Sequence, residues 1–118
     1  MKPTRPLIYV AGPLSIGNVA MNIRAALEAG ERLWEMGFVP FVPHLTHFWN
    51  FAFPHADTRH ADAFWMKMDF AMLTHCNCMI RLPGASVGAD METAFCEEQN
   101  IPVFYSYDTA AEWLKAQG

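Results

Sequence analysis

The sequence predicts an α/β fold, a three-layer sandwich in which a parallel sheet of four to five strands lies between helices in a flavodoxin-like or Rossmann-like arrangement. The first observation is that short apolar runs alternate with longer segments whose apolar residues recur at helical spacing. The second is that these runs contain almost no polar residues, which is typical of strands buried on both faces of a parallel sheet. Strands connected through helices in this way favour right-handed crossovers.

The first half of the chain predicts two strands with a helix between them. Leu7–Ala11 is a continuous apolar run that predicts a central strand. Residues 18–36 have the pattern of an amphipathic helix that ends at Gly37. The inward face of this helix is expected to contain Ile23, Leu27, Gly30 and Trp34. Residues 38–43 predict a second strand, whose two prolines favour an outer position, and a loop rich in aromatic residues and histidine is expected from there to about residue 62.

The second half of the chain continues the alternation. Residues 63–75 predict a helix that is apolar nearly all round, so the core and a partner subunit together would have to cover it. A strand at 78–82, a helix at 88–100 and a strand at 101–105 follow, and a last helix is expected to be capped at 108–109. The inward residues expected in the helix at 88–100 are Met91, Ala94 and Phe95.

Length and composition restrict the class of protein. With 118 residues, a single domain spanning 1–118 is expected. Twelve acidic and eight basic residues give a net charge of −4 without a cluster of Lys or Arg, so a nucleic-acid polymer is not expected as a partner. An apolar fraction of 53% with 17% charged residues favours a buried subunit contact, and a homodimer or higher homo-oligomer is predicted.

The same features predict a cytoplasmic protein that does not associate with membranes. No apolar run approaches the roughly 18 residues of a membrane span. The start of the sequence lacks the pattern of a secretory signal. Cys76, Cys78 and Cys96 are an odd number of cysteines, and their spacing fits neither a disulfide framework nor a zinc site, so reduced thiols are expected.

Loops that follow strands are the first candidates for a binding site, because ligands of open parallel sheets bind beyond the carboxyl ends of the strands. The loop at 12–18 follows the first predicted strand. Its small residues, among them Gly12 and Ser15, allow a ligand to approach the backbone closely. An ordinary turn with Asn18 as the helix N-cap explains the same residues without a ligand.

The loop after the third predicted strand leads into a helix whose free N–H groups and dipole favour an anion. Ser86 and Gly88 are candidates to hold a phosphate or a sugar hydroxyl. Glu92 is expected in the first turn of the helix, where the dipole would lower its pKa and keep it ionised, as a nucleophilic carboxylate requires. The alternative is an acid that only stabilises the helix.

Asp69 is the one acid in the largely apolar helix predicted at 63–75. Burying a carboxylate costs several kcal/mol unless a polar group meets it, so Asp69 is expected to have a partner. A salt bridge to Arg81 or Lys67, or a position in an exposed groove, would explain Asp69 without a catalytic role.

His44, His47 and Trp49 stand in the aromatic segment after the second predicted strand and are suited to stack on a planar base or to enclose a small ligand. An aromatic contact between subunits is the alternative, and it allows a third function, a protein of assembly only. The two histidines are three residues apart, but no nearby carboxylate or thiol completes a set of metal ligands. No metal site and no cofactor are therefore predicted.

Six segments of the sequence share one family resemblance. They are YVAGPL at 9–14, Asn22 with Ala25 and Ala26, FVP at 41–43, Asp69 followed by Leu73, CNCMIRLPG at 76–84, and SVGADME at 86–92. Together they resemble the nucleoside 2-deoxyribosyltransferase-like superfamily over nearly the whole chain, and the last two segments are the most specific. The chain is most similar to a branch of that superfamily made up of bacterial and phage domains of unknown function.

The resemblance implies an activity. In that superfamily the Glu at the position of Glu92 attacks the anomeric carbon, the Asp at the position of Asp69 assists it, and the Ser-x-Gly loop at 86–88 holds the 5′ hydroxyl or phosphate. It therefore implies cleavage or transfer of the N-glycosidic bond of a nucleoside or nucleoside 5′-monophosphate, through a glycosyl-enzyme intermediate. A non-catalytic module of the same fold that binds or senses a nucleotide is the alternative.

The residues and the resemblance together define the predicted site. Glu92 and Asp69 are predicted to be catalytic. For a retaining reaction their carboxyl groups should lie about 5 to 5.5 Å apart, although a helper acid that only orients the nucleophile would lie closer. The predicted substrate-binding residues are Tyr9, Gly12, Ser15, Asn22, His44, His47, Trp49, Ser86 and Gly88.

The sequence departs from the family pattern in two places. The better-known transferases carry an acid near the base, and no residue here corresponds to it clearly. The residues available for that position are His44, His47, Asp57 and Asp62. In addition, Asn77 stands where relatives usually have Asp. The group that protonates the leaving base is therefore unassigned at this stage.

Overall fold

The computed structural model describes residues 5–53 and 60–118 of the chain. The strands within them are β1 (Leu7–Ala11), β2 (Val39–Phe41), β3 (Cys78–Arg81) and β4 (Val103–Phe104). They form one parallel sheet in the order β2-β1-β3-β4. This strand order is flavodoxin-like, with four strands in the described part of the chain, and it places the topological switch point between β1 and β3.

Helices cover both faces of this sheet. Within the described residues they are α1 (Val19–Met36), α2 (Thr46–Ala52), α3 (Asp62–Leu73), α4 (Val87–Glu98) and α5 (Tyr107–Gln117). A 3-10 turn at Pro43–Leu45 leads from β2 into α2. The α/β class and the parallel sheet predicted from the sequence are confirmed, and the position of β2 at the edge of the sheet agrees with its prolines.

Alternate residues of β1 face the two helical layers. Ile8 and Val10 pack in one hydrophobic cluster with buried residues of α1 and α5, including Leu33 and Ala110. Tyr9 and Ala11 point to the opposite face and pack with buried residues of α3 and α4: Leu73, Ala89 and Cys96. Because successive strand residues point to opposite faces, β1 divides the core into two clusters with the sheet between them.

The ends of α1 agree with the prediction, but its buried face does not. The side chain of Asn18 accepts a hydrogen bond from the backbone N–H of Met21 at 3.0 Å, and Gly37 ends the helix with a φ of 114°. The buried residues are Ile23, Ala26, Ala29, Gly30 and Leu33. Leu27 is 39% exposed and Trp34 is 50% exposed, so their predicted inward positions are wrong. Small alanines face the sheet instead, because they allow the helix to pack close to the strands.

The buried face of α4 also differs from the prediction. Ala89, Glu92 and Cys96 are buried, whereas Met91 and Ala94, which were expected to point inward, are exposed. The physical reason is that the sheet below α4 presents a polar group, the hydroxyl of Tyr9, which meets the carboxyl of Glu92. A hydrophobic pattern alone does not reveal such a partner.

Three further boundaries differ from the prediction. The segment expected to be a loop forms the 3-10 turn and α2, whose N-terminus has no side-chain cap. The strand predicted at 101–105 pairs only at Val103–Phe104. The N-cap of α5 is Ser106, not the predicted pair at 108–109, because its side chain accepts from the N–H of Thr109. Among residues 5–53 and 60–118, none of the helices is both long and apolar enough to cross a lipid bilayer.

Candidate functional site

A cavity of about 610 Å³ opens at the carboxyl edge of the sheet. Its walls are the loop after β1, the 3-10 turn with α2, one face of α3, and the start of α4. This is the position at which doubly wound α/β sheets bind ligands. Most of the predicted site residues line it: Gly12, Ser15, His44, His47, Asp69, Ser86, Gly88 and Glu92. The other predicted site residues, Tyr9, Asn22 and Trp49, are not in its lining.

Tyr9, Asp69 and Glu92 come from three different elements and meet at the wall of this cavity. Tyr9 lies in the central strand, is fully buried, and points toward α3 and α4. Its hydroxyl donates a hydrogen bond to the Glu92 carboxyl of α4. The half-buried Asp69 of α3 lies within hydrogen-bonding reach of both groups. The partner that the sequence required for Asp69 is therefore this pair of residues.

The electrostatics of Glu92 differ from the prediction. Glu92 is the sixth residue of α4, beyond the first turn, and it is only 5% exposed. Burial raises its pKa to about 8, the hydrogen bond from Tyr9 lowers it, and the adjacent Asp69 raises it. The expectation of a pKa lowered by the helix dipole is therefore wrong, because desolvation of the carboxyl outweighs a dipole effect that fades within the first turn.

The two carboxyl groups are close enough to share one proton. Burial raises the pKa of Asp69 to about 6, while its hydrogen bonds with Glu92 and Tyr9 act in the opposite direction. Burial, followed by the charge of Glu92, raises the pKa of Tyr9 well above its ordinary value, so the phenol stays neutral and remains a donor. With both pKa values raised, and that of Glu92 the higher, the pair favours a state near neutral pH that holds one proton and one negative charge.

Arg81 is not the partner of Asp69. It forms a salt bridge with Asp90 at 3.1 Å and donates to the carbonyl oxygens of Leu82 and Gly84, the latter at 3.0 Å. These contacts connect the end of β3 to the loop and to the first turn of α4. Its positive charge also lowers the pKa of Glu92, as a weaker effect than burial. Lys67 is exposed, and in the part of the chain that the structure describes it forms no salt bridge with Asp69.

The loop after β1 is held by a side chain from α1. The amide of Asn22 donates to the carbonyl oxygens of Leu14 and Ile16 at 2.9 and 2.8 Å. Asn22 was predicted to bind substrate, but in the structure it fixes the loop that carries Gly12 and Ser15 into the cavity wall.

The loop after β3 packs against the loop after β1. Gly84 has a φ of 116°, and a Cβ placed on it would lie 2.7 Å from Cγ of Pro13. Ser86 caps α4 by accepting from the N–H of Ala89 at 3.1 Å. Ser86 and Gly88 both line the cavity, so the start of α4 faces the space in which the prediction placed a phosphate or a sugar hydroxyl.

His44 is 3% exposed and holds the β1 loop from the other side. Its Nε2 lies 3.2 Å from the carbonyl oxygen of Gly12 and 3.1 Å from that of Pro13. Carbonyl oxygens only accept, so Nε2 carries the proton and Nδ1 is left as an acceptor. Burial lowers the pKa of His44, although the two carbonyl contacts oppose this, and the ring is therefore neutral.

A family model matches residues 6–106, which include the whole sheet and α4. The chain belongs to DUF7768, described as a domain of unknown function. A comparison with curated proteins gives no match. The DUF7768 match covers Tyr9, Asp69 and Glu92, and its description names no activity.

Two of the remaining predictions for this DUF7768 chain concern aromatic residues. His47 lines the cavity and packs edge-on against Phe48 and Phe51. Trp49 instead packs edge-on against Trp65, with ring centroids 5.4 Å apart, and is not part of the cavity lining. Phe48 and Phe51 are largely exposed. The homo-oligomer that such residues favour remains a prediction.

The structure also locates residues at which the sequence departs from the family pattern. Asn77 lies at the amino end of β3, where its side-chain oxygen accepts from the N–H of Leu7 at 2.8 Å. It lies at the opposite edge of the sheet from the cavity, and an amide oxygen accepts this hydrogen bond as a carboxylate oxygen would. Asp62 lines the cavity together with His44 and His47, whereas Asp57 lies outside the described residues.

Sequence reasoning missed several residues of this site. Trp65 and Met66 line the cavity from α3, one turn before Asp69, and Asn50 lines it from α2. Helical spacing from Asp69 would have found the first two, since residues three or four positions apart share a helix face. Asn50 could not be found because its helix was predicted to be a loop. Within residues 5–53 and 60–118, no group of three His, Cys, Asp or Glu side chains is arranged to hold a metal ion.

Proposed function

We propose that the protein cleaves or transfers the N-glycosidic bond of a nucleoside or nucleoside 5′-monophosphate, with Glu92 as the nucleophile. The observation that carries the proposal is that Glu92, Asp69 and the hydroxyl of Tyr9 meet at the wall of a cavity of about 610 Å³. That volume is in the range of sites for small molecules. The family resemblance in the sequence supports the same assignment of Glu92 and Asp69.

The reaction has two displacement steps. In the first, an oxygen of the Glu92 carboxylate forms a bond to C1′ of the sugar while the C1′–N bond breaks, and its electron pair leaves with the base. In the second, water or another base attacks C1′, and the bond to Glu92 breaks to restore the carboxylate. Water yields a free sugar and its attack releases one proton; a second base yields a new nucleoside.

Asp69 acts as a helper to Glu92. Its carboxyl is within hydrogen-bonding reach of Glu92, which is closer than the about 5 to 5.5 Å between the two acids of a retaining glycosidase. When the shared proton resides on Asp69, Glu92 is ionised and accepts hydrogen bonds from both Asp69 and Tyr9. This arrangement orients the attacking oxygen. The departing base takes its proton from another group of the cavity wall, for which His47 and Asp62 are available.

The loops on either side of the carboxyl pair support a nucleotide as the substrate. The start of α4 presents Ser86 and Gly88 to the cavity, and backbone N–H groups at a helix N-terminus favour a phosphate or hydroxyl oxygen. The loop with Gly12 and Ser15 also lines the cavity, and it touches the loop before α4 where Gly84 meets Pro13. The sugar and its 5′ substituent would then lie between these two loops, with C1′ toward Glu92.

The test is release of free base from a panel of deoxynucleosides, ribonucleosides and their 5′-monophosphates, followed by chromatography. Wild type is expected to release base from at least one of them, and Glu92→Gln is expected to lower that rate about a thousandfold or more, since it removes the nucleophile. Glu97→Gln removes an exposed acid of the same helix and should leave the rate unchanged. Absence of release from the whole panel, or equal rates for wild type and Glu92→Gln, would contradict the proposal.

A second candidate function is a nucleotide-binding or sensing module without turnover. The observation that favours it is the burial that raises the pKa of Glu92 to about 8, which disfavours the ionised nucleophile. Calorimetry with the same panel separates the two functions. Binding without base release supports the sensor, whereas binding with release that depends on Glu92 supports the enzyme.

A further inference from the structure

One wall of the cavity contains polar atoms that the chain itself does not satisfy. Among the described residues, three buried side-chain atoms have no hydrogen-bond partner: Nδ1 of His44, Oδ1 of Asn50 and Nε1 of Trp65. All three residues line the same cavity. Buried polar atoms are nearly always paired, and an unpaired one costs stability. Because the three residues line one cavity, a polar ligand that reaches these atoms from it would complete them.

None of the three residues belongs to the loop after β1 or to the start of α4, although His44 contacts the β1 loop through Nε2. His44 and Asn50 belong to the segment between β2 and the end of α2, and Trp65 stands one helical turn before Asp69 on α3. The unpaired atoms therefore belong to the wall formed by the 3-10 turn, α2 and α3, called the α2–α3 wall below, whereas Ser86 and Gly88 line the cavity at the start of α4. A nucleotide whose C1′ faces Glu92 would direct its base toward the α2–α3 wall.

The chemistry of the three atoms is specific. Nε2 of His44 donates to two carbonyl oxygens, and the ring is neutral, so Nδ1 is an acceptor. Oδ1 of Asn50 is also an acceptor, and Nε1 of Trp65 is a donor only. The complementary ligand edge offers two N–H hydrogens and one lone pair, and it carries no net charge.

We propose that the α2–α3 wall selects a base that carries an exocyclic amino group next to a ring nitrogen, over the corresponding oxo base. This inference rests on the proposed function. The amino group of an adenine-type or cytosine-type edge supplies two N–H hydrogens, and the adjacent ring nitrogen accepts from the indole N–H of Trp65. An oxo base presents a carbonyl oxygen in place of the amino group and leaves buried acceptors facing a lone pair. Sites built to bind a donor reject analogues that lack it.

The test compares matched pairs of nucleotides that differ in this substituent. Binding is measured by calorimetry in the Glu92→Gln background, which prevents turnover. The nucleoside 5′-monophosphate of adenine is compared with that of hypoxanthine, and that of cytosine with that of uracil. The amino member of at least one pair is expected to bind about tenfold tighter or more than its oxo partner. Equal or tighter binding of both oxo members, or no binding of any nucleotide, would overturn the inference. Equal binding is also the result expected if only water completes the three atoms.

Substitutions of residues in the α2–α3 wall test whether this wall causes the selectivity. Trp65→Phe keeps the aromatic ring but removes the N–H, and it should weaken binding of the amino nucleotide about tenfold. His44→Gln retains an N–H for the carbonyl oxygens of Gly12 and Pro13 and removes the ring acceptor, so it should reduce the preference for the amino member. Trp34→Phe makes the same change as Trp65→Phe on the outer face of α1, away from the cavity, and should have no effect.

Circular dichroism confirms that each variant is folded before its affinity is interpreted. A folded Trp65→Phe that binds the amino nucleotide as tightly as its parent overturns the inference, even if His44→Gln does not fold. Base release by the wild type, measured in parallel, separates this inference from the proposed function. Selective binding without base release would support the inference about the α2–α3 wall and contradict the proposed enzymatic function. Equal binding and equal release from both members would contradict the inference and support the enzymatic function.

Discussion

The two faces of the sheet are built from the same strands but contain different chemistry. On the α1–α5 face, Ile8 and Val10 of β1 meet only apolar side chains in the buried cluster. On the α3–α4 face, Tyr9 is fully buried beside the carboxyl groups of Glu92 and Asp69. The first face is closed by apolar side chains and the thiol of Cys78, whereas the second accommodates the buried Glu92 and the half-buried Asp69.

This difference shows how the chain separates stability from chemistry. Burial of apolar area drives folding, and the α1–α5 face supplies it without polar interruption. Desolvated carboxyl groups oppose folding when they ionise, so the α3–α4 face carries them only where Tyr9 and the partner acid provide hydrogen bonds. Substitutions on the first face should therefore act on stability, and substitutions on the second face on protonation and activity.

The largest expected effect is on the apolar face. Leu33→Ala removes a fully buried side chain of α1 and should lower the free energy of unfolding by about 2 to 5 kcal/mol, because it leaves a cavity in the core. Urea denaturation measures the change. Leu27→Ala makes the same substitution six residues earlier, at a side chain that is 39% exposed, and should cost less than about 1 kcal/mol. Equal losses for the two variants would contradict the buried face of α1.

The next effect concerns the pH dependence of stability on the α3–α4 face. Burial raises the pKa of Glu92 from 4.5 to about 8, so between these values the folded state binds more protons than the unfolded state. The contribution of Glu92 is therefore fully present below about pH 4.5 and is lost as the pH rises toward 8. Burial raises the pKa of Asp69 from 3.8 to about 6, so Asp69 also loses its contribution to stability as the pH rises, but over a lower pH range.

Glu92→Gln should remove most of this loss. Its amide accepts from Tyr9 and donates to Asp69 without a proton that titrates. Near pH 8 the variant is expected to be more stable than wild type by an amount on the order of a few kcal/mol, and near pH 4.5 the two should be similar. Urea denaturation across this pH range measures it, with Glu97→Gln expected to follow wild type. A wild type whose stability rises from pH 4.5 to 8 would contradict the burial of an unionised Glu92.

A smaller effect is expected where the two site loops touch. Gly84→Ala places a side chain on a residue with a φ of 116° and brings its Cβ to 2.7 Å from Pro13. The strained backbone and the contact together should cost about 1 to 3 kcal/mol. Gly17→Ala has a positive φ as well, but its Cβ would meet nothing within 4 Å. The difference between the two unfolding free energies therefore isolates the contact between the loops, and identical losses would argue against it.

The elements of the fold that could be predicted from the sequence are those that a local sequence signal determines. The continuous apolar run Leu7–Ala11 and the stop at Gly37 are such signals, and both elements are where they were expected. The face of α1 could not be predicted, because Leu27 and Trp34 are more hydrophobic than the alanines that the close packing against the sheet requires. The helix α2 was missed because it is short, aromatic and without an N-terminal side-chain cap.

The site could be predicted in composition but not in electrostatics. A carboxyl in an apolar helix needs a polar partner, so the sequence was sufficient to single out Asp69. The pKa of Glu92 depends on how deeply a carboxyl is buried between α4 and the sheet, and the sequence does not contain that depth. Tyr9 entered through the family resemblance as a substrate-binding residue, whereas in the structure it contacts Glu92 from a position outside the cavity lining.

The smallest expected effect on stability comes from removing a single hydroxyl on the α3–α4 face. Tyr9→Phe removes one oxygen from the centre of the sheet and leaves the ring beside Phe41, whose centroid is 5.6 Å away. Stability should change by only about 1 kcal/mol, because the apolar contacts remain. The hydrogen bond from Tyr9 lowers the pKa of Glu92, so its loss should move the fall in stability, and the pH profile of base release, to higher pH. Tyr105→Phe, at an exposed tyrosine, should shift neither profile. An unshifted profile in Tyr9→Phe would mean that the hydroxyl supports packing only and does not position the Glu92 carboxyl.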